Sequence, residues 1–243
     1  MPLTTLTIFT LNPGNRRWGL AQMGTSPALL RQVPGLRFFR LLGSGADNGF
    51  GLWPNLQRYS LLAVWENEQA AAHFFSHSTL WSAYQHRSQE MWCLHLAPIK
   101  SQGLWNGTNP FDYPTPESAM PADAPVAVLT RAAIRWHKAM RFWQFVDPTN
   151  ARLATASGLL AAIGIGELPV VRQATFSVWE SAQAMQQFAY RDEQHREVIK
   201  LTRQEKWYAE ELFARFSVLG SAGTLDGVNP LAGRVPELGA NTY

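Results

Sequence analysis

The sequence predicts an α+β fold of two tandem ferredoxin-like (βαββαβ) repeats that pack sheet to sheet into an α+β barrel. A repeated motif carries this prediction: LLAVWE at residues 61–66 returns as TFSVWE at 175–180, 114 residues later. An Ala/Gln-rich stretch follows each motif, and each half ends in Asn-Pro, at Asn109-Pro110 and Asn229-Pro230. The order of strand-like and helix-like periodicities is also the same in both halves.

In the first half, apolar alternation predicts strands at residues 3–11, 36–43, 59–65 and 93–99. Helical periodicity predicts one helix at 18–33, which stops at Pro34-Gly35, and helical structure across 67–92, with Trp92 near its end. We align residues 6–10 with 126–130, an offset of 120.

In the second half, the same patterns predict strands at residues 126–134, 159–165, 173–179 and 212–218. Helical structure is expected at 138–158 and 181–207, so that Trp207 matches Trp92 at an offset of 115. The domain prediction is therefore a first repeat at 1–100, a Gly/Pro-rich linker at 101–124, and a second repeat at 125–243.

Composition limits the function classes. Of 243 residues, 46% are hydrophobic and only 16% are charged, which excludes a disordered chain. The single cysteine, Cys93, excludes an intramolecular disulfide framework and an iron–sulfur cluster held by this chain's own cysteines. A net charge of +3 does not indicate nucleic-acid binding. Residues 1–5 show no basic region before an apolar run, so we expect no signal peptide and a cytoplasmic protein. The aromatic content leaves peripheral membrane contact open.

Because a duplicated scaffold needs both halves alike, matched positions that differ are candidates for function. Phe38 and Phe39 become Ala161 and Ala162, which would open space for a ligand over the second sheet unless neighbouring aromatics fill it. Leu61 and Ala63 become Thr175 and Ser177, either as hydrogen-bond donors to a ligand or as ordinary residues of a partly solvated strand.

A histidine replaces an aromatic residue in the last helical segment of the second half, where His195 aligns with Trp81. Ile199 lies on the same helix face as His195, and this largely apolar face suits an axial ligand of haem as well as a structural histidine. Arg131 and Arg135 could hold carboxylates such as haem propionates, or form a solvated basic face.

Five segments in order resemble the spheroidene monooxygenase family: RFFRLLGSG from Arg37, YSLLAVWE from Tyr59, QATFSVWE from Gln173, FAYRDEQH from Phe188 and WYAEELFARF from Trp207. This resemblance extends over about residues 3–230. It implies the dimeric α+β barrel fold and a haem enzyme that uses O2 and electrons from a ferredoxin-type donor to oxidise an acyclic carotenoid. It also implies a histidine ligand on a helix of the C-terminal half, a placement that His195 fits.

The function expected from the sequence is a haem b-dependent monooxygenase acting on an apolar, carotenoid-like substrate. His195 would bind the iron, Ala161 and Ala162 would make room, and Phe176 and Ile199 would contact the cofactor. Thr175 or Ser177 would donate a hydrogen bond to bound oxygen, and Arg131 or Arg135 would hold a propionate or assist distally. The alternatives are an aldoxime dehydratase-like lyase on the same scaffold, a non-catalytic binder of haem or another apolar ligand, and a cofactor-free oxygenase. A homodimer is left open.

Overall fold

The protein is described here from a computed structural model. The structure describes residues 1–45, 53–115, 121, 123–138, 153, 155–168, 171–191 and 207–239. Over these ranges the chain forms eight β-strands and four α-helices, and the strand pairs with defined register are antiparallel.

The first repeat has the predicted βαββαβ order. Its elements are β1 (Leu3–Leu11), α1 (Arg16–Leu30), β2 (Leu36–Gly45), β3 (Pro54–Trp65), α2 (Glu68–His77), α3 (Thr79–Arg87) and β4 (Ser88–Gly103). The second helical segment begins at a cap in which Asn67 Oδ1 accepts the N–H of Ala70 at 2.9 Å. A second cap, in which Ser78 Oγ accepts the N–H of Trp81 at 3.3 Å, divides the segment into α2 and α3.

The second repeat keeps the same order in its described part. Its elements are β5 (Val126–Ile134), β6 (Leu159–Leu168), β7 (Arg172–Trp179), α4 (Ala182–Arg191) and β8 (Tyr208–Gly223). Most of the helix predicted at 138–158, and residues 192–206 of the one predicted at 181–207, lie outside the described residues.

Three details of the sequence interpretation were wrong. Trp92 matches Leu212 rather than Trp207, because Trp92 pairs with Ile8 as Leu212 pairs with Arg131. Residues 88–92 begin β4 rather than ending a helix, because Trp92 pairs with Ile8 in the β1–β4 ladder, which outweighs local helical propensity. In addition, Leu3 pairs with Trp65 as Val126 pairs with Trp179, so β1 matches β5 at an offset of 123 rather than 120. An error of three residues exchanges the two faces of a strand.

The chain divides into two compact units, each with four neighbouring strands. Unit 1 contains Met1–Ser44 and Pro54–Ala97 together with the C-terminal segment from Val218, and its strand order is β2-β3-β1-β4. Unit 2 contains Gly45–Trp53 and Pro98–Ser217, and its strand order is β6-β7-β5-β8. This division places the ends of β4 and β8 with the opposite repeat. The predicted domain boundaries, which follow the repeats, stay a prediction.

In unit 1, aromatic side chains fill the space between one face of the sheet and the helices. Phe9 on β1 lies 4.8 Å from the Tyr84 ring of α3, and Trp65 on β3 lies 5.2 Å from the Phe74 ring of α2, measured between ring centroids. All four side chains are buried. The face of β1 and β3 that contains Phe9 and Trp65 is therefore the helix-covered face.

The segment predicted as a linker is packed in its first part. Trp105 and Phe111 are fully buried, and the ring of Phe111 meets that of Phe216 edge-on at 5.0 Å. Composition indicated a linker because Gly, Pro and Asn are frequent here, and two buried aromatic residues anchor its first part in unit 2. No helix in the described ranges combines the length and the apolar character needed to cross a membrane.

Candidate functional site

A matched pair of glycines fixes the register between the two repeats. Gly35 and Gly158 both have positive φ, 74° and 76°, and their carbonyls accept the amides of Glu66 and Glu180 at 2.7 and 2.8 Å. Hence β2 matches β6 at an offset of 123, and β3 matches β7 at 114. Residues of the two sheets can therefore be matched by their backbone pairing rather than by sequence similarity.

The helix-covered face of the second sheet has lost large side chains at four neighbouring positions. The residues of the first sheet are Phe9, Phe39, Leu41 and Leu61, and their matches in the second are Ala132, Ala162, Gly164 and Thr175. We call these four residues of unit 2 the small-residue floor. Thr175 lies opposite Gly164 on β6, while Ala132 and Ala162 occupy the adjacent cross-strand rows.

The lost volume must be filled. In the first sheet the corresponding residues pack against α1, α2 and α3. Over the second sheet, α4 covers one end of the face, where Phe188 lies 5.3 Å from the ring of Trp179. An empty cavity of several side chains would cost several kcal/mol. A bound molecule that filled the space over the floor would remove this cost.

The predicted site residues are divided between the two faces of this sheet. Ala162, Thr175 and Ser177 lie on the helix-covered face, since Ala162 pairs with Ser177 and strand neighbours alternate. Ala161 and Phe176 point to the opposite face. The sequence-based interpretation assigned both alanines to one pocket, but residues on opposite faces cannot line the same pocket.

Ser177 has a structural partner that the sequence did not indicate. Its Oγ accepts a hydrogen bond from Trp179 Nε1 at 3.0 Å. In the first repeat the matching indole, Trp65, donates to Thr5 Oγ1 at 2.9 Å. The match of Thr5 is Val128, which cannot accept, and Ala63 has become Ser177, which can. The Ala-to-Ser change therefore replaces a lost acceptor for a buried tryptophan.

Arg131 is buried in an ion-pair cluster on the opposite face, with only 2% of its side chain exposed. One terminal nitrogen donates to Glu210, the other lies 3.2 Å from Glu167 Oε2, and the guanidinium lies 5.3 Å from the centre of the Trp105 ring. Its match in the first repeat is Ile8. Arg131 thus holds carboxylates, as the sequence suggested, but they belong to the protein itself.

The same cluster fixes a tight turn. Glu210 accepts the backbone amides of Asn106 and Gly107, each at 2.8 Å. Burial favours a higher pKa for Glu210, but these two hydrogen bonds and Arg131 outweigh it, and the pKa is lowered. The carboxylate therefore stays ionised and ties the turn to β8.

Of the remaining predicted residues, only Arg135 lies within the described ranges. Arg135 follows β5 and is exposed, at the end of the strand that carries Ala132. His195 and Ile199 lie outside the described residues. Among the described residues, no group of three or more His, Cys, Asp or Glu side chains could hold a metal ion.

The helix-covered face of unit 2 fits a flat apolar cofactor such as haem. The floor offers small side chains over three adjacent strands, and Thr175 adds one half-buried hydroxyl. Sequence reasoning found Ala162 and Thr175 but missed Ala132 and Gly164. The offset of 120 assigned Ala132 to the wrong partner, and the match of Gly164 with Leu41 went unexamined, although the sequence contained that signal.

Comparisons with known proteins were made by sequence and by structure. No protein-family model matches the chain. Over 238 residues it is 36% identical to the spheroidene monooxygenase of Rhodobacter capsulatus, with 98% of each chain covered. It is 35% identical over 233 residues to the spheroidene monooxygenase of Cereibacter sphaeroides, covering 95% of this chain and 71% of that protein.

Solved structures confirm the fold class. An aldoxime dehydratase crystallised with butyraldoxime matches with a TM-score of 0.54 at 10% identity, covering 89% of this chain and 79% of that chain. At this identity the likeness shows the fold alone, and it agrees with the α+β barrel class predicted from the repeats. The sequence relatives carry the functional class: the chain belongs to the spheroidene monooxygenase family and is an oxidoreductase of the monooxygenase type.

Proposed function

We propose that this enzyme is a haem-dependent monooxygenase that introduces oxygen from O2 into an apolar, carotenoid-like substrate. The observation that carries the proposal is the small-residue floor, four neighbouring losses of volume on one face of one repeat. The names of the relatives, which specify spheroidene, support the substrate class.

The floor would contact the haem, and His195 would bind the haem iron. When bound, the haem would supply the redox chemistry that activates O2, with electrons from a ferredoxin-type donor.

The chain's own residues have distinct tasks in this arrangement. Ala132, Ala162 and Gly164 leave space and exclude water with apolar surface. Thr175 is half-buried between them and donates its hydroxyl proton in a hydrogen bond to an oxygen atom above the floor. Exposed Arg135 is free of the Arg131 cluster and suits a carboxylate at the rim. Arg131, Ala161 and Phe176 face away from the floor and take no part in it.

Spectroscopy of haem-supplemented protein tests the proposal. We expect a Soret band that His195→Ala abolishes or shifts, while His86→Ala, an exposed histidine on α3, leaves it unchanged. With a chemical or ferredoxin reductant, O2 uptake should then depend on an added carotenoid. Absence of a Soret band in folded wild-type protein would overturn the haem assignment, and conversion of an aldoxime without O2 would favour a lyase.

A further inference from the structure

One row of paired residues crosses the helix-covered face of unit 2. Thr175 on β7 pairs with Gly164 on β6 and with Thr130 on β5. Thr130 pairs in turn with Phe213 on β8, and we call these four residues the central row. Residues directly opposite each other on neighbouring strands share a face, so the central row extends the floor from Thr175 toward β8. With about 4.8 Å between neighbouring strands, the row is about 14 Å long.

The central row opens to solvent toward β8. Gly164 is buried and Thr175 is half-buried, whereas Thr130 is exposed. Phe213, at the end of the row, is 36% exposed. In the first repeat the four matching residues are all buried, and they are Leu41, Leu61, Thr7 and Cys93. The scaffold therefore does not require an open row at these positions.

Phe213 stands where the first repeat has Cys93, and this difference removes a contact within the row. In the first repeat, Thr7 Oγ1 donates a hydrogen bond to Cys93 Sγ at 3.2 Å. The matching pair is Thr130 and Phe213, and a phenylalanine side chain offers no such acceptor. Within the described part of the chain, the Thr130 hydroxyl has no hydrogen-bond partner and the Phe213 ring meets no other aromatic ring. Both side chains are thus accessible to a molecule over the row.

The two ends of the row suit molecules of different residence times. A cofactor stays bound between turnovers and gains from the buried end at Gly164, whereas a substrate enters and its product leaves in every turnover. Phe213 lies at the open end, where it exposes an apolar ring that a bound apolar molecule would remove from water. An aromatic ring also offers a flat surface on which a conjugated chain stacks.

We propose that Thr130 and Phe213 form a subsite for the conjugated chain of the apolar substrate, on the β8 side of the floor. Phe213 packs against this chain, and the small side chain of Thr130 leaves the room that the chain needs beside the floor. The subsite rests on the carotenoid-like substrate class of the proposed function, and its test is separate from the test of the haem.

Retention of an acyclic carotenoid on immobilised full-length protein tests the subsite. The carotenoid is supplied in detergent micelles to haem-free and to haem-supplemented protein, and the bound amount is measured after extraction. Phe213→Ala should bind it about tenfold more weakly than wild type, while Phe213→Trp, which keeps an aromatic ring, should stay within about threefold. Leu219→Ala, at a residue that is 48% exposed on the same strand, should bind as wild type.

Two variants of Thr130 test the need for space. Thr130→Val keeps the size of the side chain and should bind as wild type, whereas Thr130→Trp fills the row and should weaken retention at least about tenfold. Circular dichroism checks that each variant is folded. Folded Phe213→Ala or Thr130→Trp protein that retains the carotenoid as wild type does would overturn the subsite.

A haem titration of Phe213→Ala separates the subsite from the cofactor site. The Soret band should report the same haem affinity as in wild type. A parallel loss of haem and carotenoid binding would overturn the subsite, because Phe213 would then contact the cofactor. Wild-type protein that retains no carotenoid would overturn both the substrate class and the subsite, whereas normal retention by Phe213→Ala overturns the subsite alone.

Discussion

Arg131 shows how one buried charge ties together distant parts of unit 2. Its two terminal nitrogens reach Glu167 on β6 and Glu210 on β8, which are 36 and 79 residues away in sequence. Sequence reasoning selected Arg131 as a carboxylate-binding residue. It could not identify the carboxylates, because their proximity arises only when β5 pairs with β8 and with β7, which itself pairs with β6.

Arg131→Met should destabilise the protein by about 3 kcal/mol, because it leaves two partly buried carboxylates without their partner. Urea unfolding of the haem-free protein measures this loss. Arg172→Met, at an exposed arginine of the neighbouring strand β7, should change the free energy of unfolding by less than about 0.5 kcal/mol. Equal losses in the two variants would show that the cluster contributes little.

The turns that follow β4 and β8 have the same structure in both repeats. The turn at Asn106-Gly107 returns at Asp226-Gly227, with φ values of 53° and 81° against 54° and 81°. Glu210 accepts the amide of Gly107, and its match Glu90 accepts that of Gly227. The Asn-Pro pairs seen in the sequence directly follow both turns, and Asn109 and Asn229 accept the backbone amides of Phe111 and Leu231. The sequence therefore predicted the element order and this repeat, but it missed the strand start at Ser88 because that strand depends on pairing with β1.

Two glycines near the end of β4, one in the strand and one in the turn after it, differ in the space around them. A Cβ at Gly103, where φ is 93°, would collide with the carbonyl oxygen of Glu211, whereas a Cβ at Gly107, where φ is 81°, would meet no atom within 4 Å. Gly103→Ala should therefore cost about 3 kcal/mol, and Gly107→Ala about 1 kcal/mol from backbone strain alone. Thermal melts of the two variants would contradict this account if Gly107→Ala were the less stable.

At the scale of the whole molecule, the duplication allows each repeat to be compared with the other. The first repeat fills its helix-covered face with Phe9, Phe39, Leu41 and Leu61, and the second repeat does not. The sequence showed part of this contrast, since Phe39 to Ala162 and Leu61 to Thr175 were visible at the right offsets. That Ala161 faces the other way follows from the alternation of adjacent strand residues, whereas which of the two alanines lies on the helix-covered face depends on the pairing of β6 with β7. Both the haem and its proposed ligand, His195, stay predictions.

The central claim is that the small-residue floor holds the haem, and a haem titration of two matched variants tests it most directly. Ala162→Phe and Ala161→Phe each restore a phenylalanine of the first repeat, but only residue 162 lies on the floor. We predict that Ala162→Phe weakens haem binding at least about tenfold and that Ala161→Phe does not. The absorbance of the Soret band measures the binding in both titrations. Thermal melting of both variants without haem checks that each of them is folded. Folded Ala162→Phe protein that binds haem as tightly as wild type would contradict the claim.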